Sequence, residues 1–207
     1  MGILKPKVVF ASAAIVLGLT AAIPPISAQD TPAVEEFTAF AININRRPAG
    51  TSGANRPTTA TLTFRIERWS TDEERETLMA IVKEEQNVNR ANQQLLRALQ
   101  RLPRVGWIRE TGTVSWDLRF AQQTSLPEGG RRIVLGTDRP IGFWEARNQP
   151  RTIDYPFTIL QFQLDKDNQG EGKMLADTRL IWQGDSNTLV LENFDISPVR
   201  LNQIRRR

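Results

Sequence analysis

The sequence predicts a mainly β (α+β) fold: an antiparallel β-sandwich or open β-barrel of about eight strands with a two-helix insertion packed on it. Three observations lead there. Short runs with apolar residues at every second position recur between turn signals from residue 33 to the end. These runs follow one another with few residues between them, which favours antiparallel pairing over crossover connections. One stretch, at about 71–102, breaks that rhythm with apolar residues at helical spacing.

Residues 1–28 stand apart. Lys5 and Lys7 precede the apolar run Val8 to Ile23, Pro24 and Pro25 end it, and Ile26-Ser-Ala28 supplies a small residue before Gln29. That is the layout of a secretory signal peptide, and the run is shorter than the roughly 20 residues of a spanning helix. The expectation is cleavage after Ala28, with 29–207 forming one domain that has no transmembrane span. The location is then periplasmic or extracellular. The chain has no cysteine, so it must hold together in an oxidising compartment by packing alone.

In the first strand, within 33–45, Thr38, Phe40, Ile42 and Ile44 share one parity and Ala39, Ala41 and Asn43 the other. Pro48, Gly50, Gly53 and Pro57 mark 46–58 as a loop. In the second strand, 59–69, Leu62, Phe64 and Ile66 are expected inside, and Thr61, Thr63, Arg65 and Glu67 outside. Ser70 with Glu73, and Thr71 with Glu74, offer two overlapping capping boxes. Leu78, Ile81, Val82, Val88, Leu95, Leu99 and Leu102 form an apolar stripe. The Asn- and Gln-rich centre at 86–92 predicts two helices, about 71–85 and 90–102, ended by Pro103.

Period two then returns. Val114, Trp116, Leu118 and Phe120 fall on one face, and Trp116, Leu118 and Phe120 are expected to share a core with Leu95 and Leu99. Further strands are expected at 132–135, 157–164, 173–182, 188–194 and 199–204, with a turn at 184–187 and a solvated tail at 205–207. The stretch Asp165 to Gly172 matches a calcium loop at its first, third and sixth positions. It lacks the bidentate Glu at the twelfth, where Ala176 stands, and so reads as a polar hairpin turn.

The chain contains no histidine, which together with the missing cysteine excludes Ser-His-Asp and Cys-His catalysis and histidine metal sites. No cofactor or metal is implied. Basic and acidic residues nearly balance, at 27 and 23, so nucleic acid is not an expected partner. Opposite charges two residues apart (Arg65 and Glu67, Asp117 and Arg119, Asp177 and Arg179) predict a charge ladder on an outer sheet face.

The candidate binding residues lie in the long connection 136–151: Arg139, Phe143, Trp144, Glu145, Arg147 and Arg151. Aromatic rings mixed with arginine are characteristic of binding surfaces. Phe143 is expected to anchor the connection and Trp144 to face outward, because indole tolerates a wet edge. The functional expectation is an exported, non-catalytic binding domain of a bacterial-type cell envelope, taking an apolar or amphiphilic small molecule between sheet and helices. Two alternatives stand beside it. One is a structural or interaction module that meets an envelope protein through 136–151. The other is a carboxylate-dependent hydrolase, whose acids pair only in space.

Overall fold

The computed structural model describes residues 34–44, 58–85, 87–139, 141, 157–175, 178–183, 188–193 and 198–207, with backbone alone at 58, 88, 178–183 and 188–193. The strands are β1 (Glu35–Asn43), β2 (Thr58–Ile66), β3 (Gly106–Glu110), β4 (Ser115–Ser125), β5 (Arg131–Thr137), β6 (Ile159–Leu164), β7 (Gln169–Leu175), β8 (Thr178–Gln183), β9 (Thr188–Asn193) and β10 (Val199–Arg206). Eight of them close into an antiparallel barrel in the order β1-β10-β7-β6-β5-β4-β3-β2, and β8 pairs with β9 in a separate hairpin. The helices α1 (Asp72–Glu84) and α2 (Val88–Arg101) are inserted between β2 and β3. The mainly β fold with two helices is therefore as expected, and the barrel is closed. What closes it is the far end of the chain. Phe37 pairs with Arg206 and Thr38 with Arg205, so 205–206 belong to a strand, correcting the expected tail.

Alternation decides which side chains fill the barrel. Leu62, Phe64 and Ile66 point inward as expected, and on β1 it is Phe37, Ala39 and Ala41 that do so, leaving Phe40 and Ile44 exposed. Phe162 sits at the centre, edge-on to Phe37 at 6.2 Å and to Phe64 at 4.8 Å between ring centroids. The neighbouring β7 gives it room: a Cβ on Gly172 would lie 3.0 Å from both Phe162 Cδ1 and Ile204 Cδ1. Such filling is the usual state of an eight-stranded barrel.

The helices lie outside the barrel, against β4 and against β8. Of the two capping boxes, Thr71 and Glu74 form the one that is used. Ser70 instead ties the start of α1 to the barrel. Its N–H donates to the Ala121 carbonyl at 2.8 Å, and its Oγ accepts from the Ala121 N–H at 3.1 Å. That exchange sits beside a β-bulge in β4 between Leu118 and Phe120. The bulge breaks the single-face reading of β4. Leu118 and Ala121 both enter the barrel, and Phe120 turns out to the helices. Phe120 thus joins Val82, Leu95, Leu99 and Phe157, while Leu118 belongs to the barrel core and Trp116 packs against that core, half-buried. Leu99 packs above Gly136, where a Cβ would come within 3.8 Å of Leu99 Cδ2 and 3.3 Å of Phe120 Cβ.

Two further expectations change. The run 173–182 is divided between β7 and β8, which join different sheets. Residues 106–110, which alternation does not single out, form β3. Among the described residues no helix is long and apolar enough to cross a membrane. The expected signal segment 1–28 lies outside the described residues.

Candidate functional site

The long connection after β5 is fixed to the barrel at its start and its finish. Thr137 and Thr158 are both fully buried. The Thr137 hydroxyl donates to the Arg139 carbonyl and accepts from the Thr158 N–H at 3.2 Å. The Thr158 hydroxyl in turn accepts from the Ile141 N–H at 2.8 Å, and Ile141 is itself in the barrel core. Both buried hydroxyls have partners, which holds the two chain segments in one geometry. No signal in the sequence points to these threonines, because two hydroxyls so far apart along the chain carry no local pattern.

Of the candidate residues, Arg139 is placed: its side chain is 72% exposed and its Nε lies 4.0 Å from Asp138 Oδ1. Phe143, Trp144, Glu145, Arg147 and Arg151 lie outside the described residues.

Arg139 ends a chain of alternating charges along the outside of the barrel. Arg207 meets Glu36 at 3.3 Å, Glu36 meets Arg65 at 3.8 Å and Arg65 meets Glu67 at 4.0 Å. Arg104 bridges Glu67 at 2.8 Å and Asp117 at 3.8 Å. Arg119 then links Asp117 at 3.3 Å to Asp138 at 3.2 Å. The expected ladder is realised for Arg65, Glu67, Asp117 and Arg119, and Arg104 is a connector that strand parity does not reveal. Asp177 and the side chain of Arg179 lie outside the described residues. The path follows the barrel's shear. The cross-strand row Glu35, Ile66, Gly106, Leu118, Thr137 begins at the first residue of β1 and ends at the last of β5, and so climbs from one mouth to the other.

The opposite mouth is closed by ions. Arg131 holds Glu35 with both terminal guanidinium nitrogens, donates to Asn168 Oδ1 at 2.7 and 3.0 Å, and reaches Gln123 Oε1 at 2.8 Å. Arg206 adds a second guanidinium 3.7 Å from Glu35, whose side chain is only 6% exposed. The Arg131 guanidinium also lies over the Phe37 ring at 5.7 Å. At the start of α1, Arg68 clamps Glu74 at 2.8 and 3.0 Å, and that hydrogen bonding holds the Glu74 carboxyl below its ordinary 4.5.

The Asp165 stretch is a turn: Asp165 Oδ1 accepts from the N–H groups of Asp167 and Gln169 at 2.8 and 2.9 Å, and Asn168 takes φ 57°. Among the described residues no three His, Cys, Asp or Glu side chains gather where they could hold a metal ion. No protein-family model, curated protein or solved structure matches this chain.

Proposed function

We propose that the protein is an exported, non-catalytic binding domain of a bacterial-type cell envelope, and that it meets a partner protein at the barrel end carrying 136–151. The observation that supports this reading is the filling of the interior. Among the described residues, fifteen Leu, Ile, Met and Phe side chains, including Phe37, Phe64, Ile108, Leu135 and Phe162, are under 2% accessible. A void of even water size beside any of them would give it accessible surface. Between helices and barrel, Val82, Leu95, Leu99 and Phe157 pack together at 4–6% exposure. An apolar or amphiphilic small molecule between sheet and helices would need the room these side chains occupy, so binding is assigned to the surface.

The 136–151 end is favoured because Thr137, Thr158 and Ile141 set the points from which the connection leaves and returns. Fixed attachment reduces what binding must order. The hydrolase alternative is not favoured: Glu35, Glu36, Glu67, Asp117 and Asp138 each face an arginine, not a second acid. Native mass spectrometry of the exported protein from its own host tests the reading. The expected result is a protein partner that is retained by the wild type and by Arg200→Ala, and lost from Trp144→Ala with little change in melting temperature. Retention of a lipid-sized mass alone would overturn it. So would a Trp144→Ala variant that melts as early as Phe143→Ala, since the connection would then be a structural plug.

A further inference from the structure

We propose that α1 and α2 form a self-complementary face on which a second copy of this chain docks, related by a two-fold axis. The observation is a division of charge. Helix α1 carries Asp72, Glu73, Glu74, Glu76 and Glu84 against Arg75 and Lys83, whereas α2 carries Arg90, Arg97 and Arg101 and no acid. Four of the acids and all three arginines of α2 are exposed: Asp72, Glu73, Glu76 and Glu84 on one helix (where Lys83 is exposed beside Glu84), Arg90, Arg97 and Arg101 on the other. They lie away from the stripes Leu78, Ile81, Val82 and Ala91, Leu95, Leu99 that face the fold, so they point outward.

Among the described residues no ion pair joins α1 to α2, and of these seven acids and arginines only Asp72 and Glu76 have an ion-pair partner, Arg75 at 3.6 and 3.8 Å. By contrast, the four arginines Arg65, Arg104, Arg119 and Arg131 are all paired. The spacing supplies the complementarity. At 1.5 Å per residue, Glu73, Glu76 and Glu84 fall at about 0, 4.5 and 16.5 Å along α1, and Arg101, Arg97 and Arg90, read backwards, at about 0, 6 and 16.5 Å along α2. An antiparallel α1 and α2 from two copies therefore match acid to arginine at three levels, and two-fold symmetry repeats the match. An anionic lipid surface fits less well, because it would meet the acids of α1 beside the arginines of α2. Exposed ion pairs are individually weak, so the association should be modest and salt-sensitive.

Sedimentation at high protein concentration tests this. The wild type should dimerise at about 0.01 M salt and dissociate at about 1 M, where the Debye length is about 3 Å. The triple variant Arg90→Glu, Arg97→Glu, Arg101→Glu should be monomeric, as should Glu73→Arg, Glu76→Arg, Glu84→Arg. An equimolar mixture of the two should recover a one-to-one dimer. A control with the same charge change on the barrel, Lys173→Glu, Arg200→Glu, Arg205→Glu, should dimerise like the wild type. Circular dichroism checks each fold, and Arg→Gln versions replace any variant that fails to fold. A wild type that is monomeric at low salt overturns the proposal. So does a dimer indifferent to the helix reversals, a mixture that stays monomeric, or a barrel control that loses the dimer equally.

Discussion

At one mouth of the barrel Arg131 reaches across to Glu35; at the other Thr137 and Thr158 exchange hydrogen bonds. The first joins β1 to β5, 96 residues along the chain, and the second joins the end of β5 to the start of β6; both bury polar groups, but they fail differently. The ionic closure is strong only while complete, because removing one partner leaves a charge out of water. The hydroxyl closure is neutral, so its loss costs a desolvated N–H and no more. A mouth closed by ions is a poor place to rearrange on binding. The mouth closed by hydroxyls can adjust at lower cost, and it is the one from which the long connection leaves.

Three measurements would break or sharpen that contrast. Arg131→Ala should have the largest effect, about 3–5 kcal/mol in chemical denaturation, because Glu35 loses its two-pronged partner. The double variant Glu35→Leu, Arg131→Met should recover most of that loss; equal loss in both would mean the pair matters through packing and not through charge. Next comes Thr158→Val, at about 1–3 kcal/mol, because the Ile141 N–H is left without its acceptor. Amide exchange should accelerate at Ile141 while Phe162 stays protected. If both accelerate alike, the hydroxyl mouth is no looser than the ionic one.

The smallest effect concerns pH and a separate ion pair, Arg68 with Glu74 at the start of α1. The folded-state value of Glu74 is lowered, chiefly by its hydrogen bond with Arg68. It therefore contributes stability above its ordinary value, and that contribution is lost as pH falls through the lowered one. Between about pH 5 and about pH 3 the wild type should lose more stability than Glu74→Gln. Parallel loss in the two proteins would show that Glu74 has no part in the acid sensitivity.

Legibility in the sequence follows the range of the interaction. Leu62, Phe64 and Ile66 on β2, and Thr71 with Glu74 at the start of α1, depend on residues two or three positions away, and local pattern is enough to read them. Parity puts Phe120 in a core with Leu95 and Leu99, and it is there. Parity puts Leu118 beside it, and Leu118 is in the barrel instead, because one bulged residue reverses the alternation. The burial of Glu35 has no local sign, since it rests on Arg131, 96 residues along the chain. For the candidate site, composition points to the connection after β5, where Arg139 is an exposed cation. The threonines that fix the connection follow no repeat, and the five other candidate side chains lie outside the described residues.

The partner that closes the barrel onto β1 has a kinetic consequence. The pairing of Phe37 with Arg206 spans almost the whole folded chain, so the ladder cannot become circular until the last strand is in place. Such pairings carry a large loop-closure entropy and place folding in the slower, millisecond-to-second regime of β topologies. Until then β1 and β7 are open edges, able to pair with other chains. Under the proposed export that delay is useful, because the chain stays threadable while its final strand is still to come.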